Sequence, residues 1–158
     1  MLGKPDAGWS DFQLKDTSRY ALSYLNDIAF QWVDQAIHGL ETLLPFCVKG
    51  FMEPGRFLCI VSYWNCHILC EDEGRCPLNK DDIEIELSHT NMLQFCQYLY
   101  DDISQNIDEW VSFPPFFDAS AMKRVKRQRK KALSKKLARL DRLISENKQQ
   151  FGEKRIFL

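Results

Sequence analysis

The sequence predicts an α+β fold: a small antiparallel sheet of about three strands packed against helices, followed by a long basic C-terminal helix. Three observations carry that prediction. Apolar residues recur at helical spacing in residues 17–44, 90–111 and 118–150, but run on or alternate in 46–71 and 82–87. The breaker Glu53-Pro54-Gly55-Arg56 divides the first β-rich stretch, which reads as a hairpin. Charge is segregated along the chain: residues 1–117 hold seven basic against eighteen acidic side chains, and residues 118–158 hold fourteen against four.

In residues 17–44, Tyr20, Leu22, Leu25, Ile28, Trp32, Val33, Ile37 and Leu40 belong to a wide apolar stripe. A largely buried helix is expected there, capped by Asp16 or Thr17, marked by a break at Gly39 and stopped by Pro45. The hairpin strands follow at 46–51 and 57–71. In the second, Phe57, Cys59, Val61 and Tyr63 alternate with Leu58, Ile60, Ser62 and Trp64. Both sets are mostly apolar, which predicts a central strand covered on at least one side by helices. Residues 71–77 read as a loop. The strict alternation Asp82-Ile83-Glu84-Ile85-Glu86-Leu87 predicts a half-exposed strand with an acidic outer face. Ser88 is placed to cap a second helix over 90–111, with Phe95, Leu99, Ile103 and Trp110 on its apolar side. Residues 112–117, with two prolines and three phenylalanines, read as a rigid linker. The last helix carries a seam of Val125, Leu133, Leu137, Leu140 and Ile144. The chain thus divides into an acidic α+β body over 1–117 and a basic helix over 118–158 within a single domain.

A chain of 158 residues, 45% hydrophobic and 27% charged, has the length and balance of one folded domain. No stretch approaches the roughly 20 apolar residues of a membrane span, and the N-terminus has no secretory apolar core, so a cytoplasmic, membrane-free protein is expected. The six cysteines (Cys47, Cys59, Cys66, Cys70, Cys76 and Cys96) are expected to be free thiols. Cys66 and Cys70 lie four residues apart on a strand, about 13 Å at about 3.3 Å per residue, too far to share a metal ion. No metal or cofactor is expected.

Catalytic patterns are absent from the sequence. His38, His67 and His89 stand at no recognisable spacing from a nucleophile and a carboxylate. Cys66 and His67 are strand neighbours and so point to opposite faces. Phosphate-binding glycine loops and paired-histidine zinc motifs are missing. The chain is therefore read as a non-enzymatic protein that works by binding.

The charge pattern suggests what it binds. Glu71, Asp72, Glu73, Asp81, Asp82, Glu84 and Glu86 lie in one loop and the strand after it, and Asp108, Glu109 and Trp110 follow on the second helix. Such a surface is expected to receive a basic partner, with carboxylates imitating phosphates and exposed aromatics such as Trp110, Phe116 or Trp9 as anchors. The basic helix offers a different expectation. Lys123, Arg124, Arg127, Lys130, Lys131 and Lys135 would suit nucleic acid, whereas its apolar seam suits packing on the body or on a second copy in a homodimer.

The run Gly55-Arg56-Phe57-Leu58-Cys59-Ile60-Val61-Ser62-Tyr63-Trp64, continued through 82–87 to Ile107-Asp108-Glu109-Trp110, resembles the immunity proteins of bacterial polymorphic and contact-dependent toxin systems. The resemblance covers about a third of the chain in style and carries no shared motif; the basic tail helix departs from it. It implies that the protein binds and neutralises a cognate toxin domain, itself basic, by covering the active site with its acidic surface.

Overall fold

The computed structural model describes residues 1–113 and 119–153, without the side chains of 119–121 and 150–153. The linker expected over 112–117 therefore falls mostly outside the described residues, and Phe116 with it. The fold is α+β, with four α-helices and two antiparallel sheets among the described residues.

Four strands, one more than expected, form the main sheet: β3 (Phe46–Phe51), β4 (Arg56–Val61), β5 (Cys66–Glu71) and β6 (Glu84–Ser88), paired in that order. The extra strand arises because residues 57–71 reverse in the middle without glycine or proline. The Ser62 hydroxyl donates to the Asn65 carbonyl at 2.9 Å and to its side-chain oxygen at 2.8 Å, while the Ser62 amide reaches the same carbonyl at 2.9 Å. Short polar side chains that bond their own backbone make turns this way.

The first helix is shorter than its apolar stripe suggests. Residues 9–12 and 20–23 pair instead as β1 (Trp9–Phe12) and β2 (Tyr20–Ser23), in the register Phe12↔Tyr20 and Ser10↔Leu22. Tyr20 and Leu22 are buried and Ala21 is exposed, the period of a strand that happens to precede a helical stripe. Helix α1 spans Ile28–Thr42 without a break at Gly39 and ends where Leu43 turns left-handed (φ 54°) ahead of Pro45. Asn26 and the Trp32 indole both donate to the Lys49 carbonyl, at 2.8 and 2.9 Å, fixing the start of α1 against β3.

Helix α2 (Met92–Gln105) is capped by Asn91, not Ser88. The Gln94 amide donates to the Asn91 side chain at 2.9 Å and the Asn91 amide returns to the Gln94 side chain at 3.0 Å, a reciprocal capping box. Ser88 ends β6 and donates to the Lys15 carbonyl at 3.0 Å. A break at Asn106 sets off the one-turn helix α3 (Ile107–Trp110).

Helices α1 and α2 and the β1–β2 hairpin cover one face of the main sheet around an aromatic cluster. Phe12 meets Phe57 at 4.9 Å and Trp32 at 5.5 Å, and Phe46 meets Phe95 edge-on at 5.8 Å. Helix α4 (Ala119–Glu153) packs on α1 and α2 from outside, and Leu133, Leu137, Leu140, Leu143 and Ile144 join the same buried core. Among the described residues no helix is long and apolar enough to cross a membrane. Among the described residues no α-helix or further strand packs over the other face of the sheet, and the loop before β6 adjoins it at Leu78 and Ile83.

Candidate functional site

The acidic residues singled out by the sequence do not form one outward surface. Glu71 is only 3% exposed: its carboxylate accepts from the Arg56 guanidinium at 3.2 Å and from the Glu73 and Arg75 amides at 2.9 and 3.3 Å. Burial acts to raise this carboxyl, but those hydrogen bonds hold it below its ordinary range. Glu73 and Asp82 both pair with Arg75. Glu86 is turned back onto the hairpin loop, accepting from the Ser18 amide at 2.8 Å and the Ser18 hydroxyl at 2.5 Å; here too the bonds outweigh burial and lower its pKa. Asp72, Asp81 and Glu84 remain exposed without an ion pair among the described residues.

On the helical side, Asp108 pairs with Lys130 at 2.7 Å and Glu109 with Lys4 at 2.8 Å. Trp110 is fully buried against Phe113, ring centres 5.1 Å apart, so it does not serve as a surface anchor. Trp9 is partly exposed.

The expected acidic outer face of 82–87 is reversed. Alternation fixes that neighbours face opposite ways but not which set faces in. In the observed register Glu86 lies opposite Ile68 and Ser88 opposite Cys66, on the covered side, while Ile85 lies opposite Leu69 and Leu87 opposite His67. Aliphatic side chains therefore point to solvent: Ile85 is 67% exposed and Leu87 46%.

These two residues complete a largely apolar surface. One row across the sheet runs Lys49, Leu58, Leu69, Ile85; the next runs Cys47, Ile60, His67, Leu87. Trp64, at the β4–β5 turn, is 58% exposed, and Leu78, in the loop before β6, is 47% exposed. Leu58, Leu69, Leu78 and Ile83 line a groove of about 190 Å³ that ends at Arg56 and Glu71. Soluble sheets that leave one face to water ordinarily give it polar residues. A grouped apolar face beside an open edge strand is the usual mark of a contact surface.

The basic helix divides its charges between two faces. Arg129 reaches Asp27 at 2.7 Å and the Val111 carbonyl at 3.0 Å, and its guanidinium lies 4.5 Å over the Phe30 ring. Lys136 pairs with Asp34 and Arg139 with Glu41. The acids Asp27, Asp34 and Glu41 recur every seven residues along α1, and their partners ascend in the same order, so α1 and α4 run parallel with an ionic flank. Of the residues expected to meet nucleic acid, Lys130 is thus engaged by Asp108. Lys123, Arg124, Arg127, Lys131 and Lys135 are exposed, with no ion pair among the described residues.

The six cysteines are free; Cys47 and Cys76 are exposed and the other four buried. No protein-family model, curated protein or solved structure matches this chain.

Proposed function

We propose that this is a non-enzymatic binding protein that captures a basic protein domain on the open face of its four-stranded sheet, in the manner of an immunity protein that neutralises a toxin. The observation that carries the reading is the apolar face formed by Leu58, Ile60, Leu69, Ile85 and Leu87, flanked by Trp64 and Leu78. The occupant's charge follows from the loop beside that face: residues 71–83 hold five acidic residues against two basic ones, and Asp81 is exposed there, while Glu84 and Glu86 stand on the covered side. An apolar centre with a charged rim is the layout of a protein interface, the rim steering encounter and the centre holding the complex.

The test is growth rescue. The toxic domain encoded by the adjacent reading frame is induced with and without this protein, and wild type is expected to restore growth. Ile85→Asp combined with Leu58→Asp should abolish rescue while the far-ultraviolet spectrum stays native, and Asp81→Lys, in the loop beside that face, should slow association mainly at low salt. A neighbour that is harmless, or rescue that survives the two sheet-face substitutions, overturns the proposal.

A further inference from the structure

On the side of the molecule away from the open sheet, the solvent face of α4 carries a row of cations, most of them without an acidic partner among the described residues. At 100° per residue, Arg124, Lys131, Lys135 and Arg142 fall within about 20° of one line along the helix, and Arg127 stands about 60° to one side. Leu133, Leu137, Leu140 and Ile144 lie on the opposite side and are buried. Four of the cations off that line are taken up by the body: Arg129 by Asp27, Lys130 by Asp108, Lys136 by Asp34 and Arg139 by Glu41. Arg124, Arg127, Lys131 and Lys135 have no acidic partner among the described residues, and Arg142 has only Glu146 on its own helix, at 3.6 Å.

We infer that this row is a binding site for the phosphate backbone of nucleic acid, separate from the sheet face. Residues 124–135 span about 17 Å at about 1.5 Å per residue, so the four cations stand about 5–6 Å apart along the helix, close enough together to neutralise several phosphates of one backbone. The residues between them, Gln128, Ala132 and Ala138, include no aromatic on which a base would stack. The contact is therefore ionic, made with phosphates and indifferent to sequence. The same lack of bulky apolar groups beside the cations argues against insertion into a bilayer.

The experiment uses the full chain and fluorescein-labelled duplex DNA of 20 base pairs, followed by anisotropy between 25 and 200 mM salt. Wild type should bind at low salt, with log K falling against log salt at a slope of about −3 to −4, the value for four neutralised phosphates. Arg124→Gln, Arg127→Gln, Lys131→Gln and Lys135→Gln together should flatten the slope and weaken low-salt binding more than tenfold. Lys136→Gln, whose cation already has a partner, should leave the slope unchanged. Ile85→Asp should also bind DNA normally, which separates this site from the sheet face. Absence of binding at 25 mM salt, a quadruple variant that keeps the wild-type slope, or binding to phosphatidylserine vesicles without binding to DNA each overturns the assignment.

Discussion

Replacing Gly39 by alanine sets two effects of opposite sign against each other, and the structure decides between them. In a helix interior alanine is favoured over glycine by about 1 kcal/mol, so helix propensity alone expects Gly39→Ala to stabilise α1. But Gly39 faces β3, and a Cβ there would stand 2.2 Å from Cδ1 and 2.7 Å from Cε1 of the Phe46 ring. Phe46 is buried and packed edge-on against Phe95, so its ring has no empty space to turn into. Relief requires α1 and β3 to separate, and overpacking of that kind costs about 1–3 kcal/mol. The net expectation is a loss of up to about 2 kcal/mol, or a fall in Tm of up to roughly 8 °C for a chain of this size. Thermal and urea unfolding measure it, with the midpoint moving and the m-value unchanged. Adding Phe46→Leu should recover part of the loss, so that the double variant is less destabilised than the sum of the singles. A Tm for Gly39→Ala at or above wild type would refute the reasoning, because it would mean that α1 does not press on Phe46.

The charge-to-core contact of Arg129 gives a second expectation: Arg129→Met should cost about 2–4 kcal/mol, because it leaves Asp27 and the Val111 carbonyl without their donor, whereas Lys131→Met on the outer row should stay within about 0.5 kcal/mol; equal losses in urea unfolding would contradict the placement of α4. Iodoacetamide at pH 8 should add two adducts to the native protein, at Cys47 and Cys76, and six after denaturation. Cys70 in particular should resist, since burial, then the nearby Asp72 and Glu84, raise its pKa to about 11 and keep it a thiol; native labelling of Cys70 by mass spectrometry would count against the hairpin cover. Acid should destabilise the fold. Glu71 and Glu86 are held low by hydrogen bonds that outweigh burial, and Glu109 is held low by Lys4, so their contribution is present above the ordinary carboxylate pKa near ~4.3 and is lost as pH falls through the lower folded values. The urea midpoint should hold level from pH 7 to about 5 and decline below about 4, less steeply in Glu86→Gln; a midpoint that rose on acidification would refute it.

Where local pattern and tertiary need coincide, the sequence is readable. The stripe of α1 from Ile28 onward, the α2 stripe and the α4 seam are each long enough for the helical period to emerge, and Pro54-Gly55 marks a real turn. The misreadings have specific causes. Tyr20 and Leu22 fit a strand of period two and also extend the helical stripe that starts eight residues later; only pairing with Trp9–Phe12 separates the two, and pairing is not local. The reversal at Ser62–Asn65 is made by side-chain bonds rather than by glycine or proline, so it leaves no breaker to read. The facing of Ile85 and Glu86 is invisible in an alternating run. It is settled by Ser18, sixty-eight residues away, which gives the Glu86 carboxylate two donors on the covered side. The open apolar face was concealed for that reason: its residues look like core until β6 is placed.

The segregated charge also has a physical division of labour. The ion pairs between α4 and the body are mostly exposed, and exposed pairs contribute roughly 0–1 kcal/mol each. Burial of Leu133, Leu137, Leu140 and Ile144 contributes about 1.5–3 kcal/mol per side chain, so the apolar seam holds the helix in place. What the ion pairs add is a flank beside the seam, where Asp27, Asp34 and Glu41 of α1 meet Arg129, Lys136 and Arg139 of α4 in order. Salt therefore affects the two faces of α4 differently. Screening at 0.2 M weakens the flank pairs but leaves the seam closed, whereas a row of cations meeting phosphates depends on counterion release and loses its ligand over the same range. A salt titration that strips DNA from the protein while its helical signal and Tm stay constant is the behaviour this division requires; a helix that undocked along with the DNA would show that charge, not the seam, holds α4.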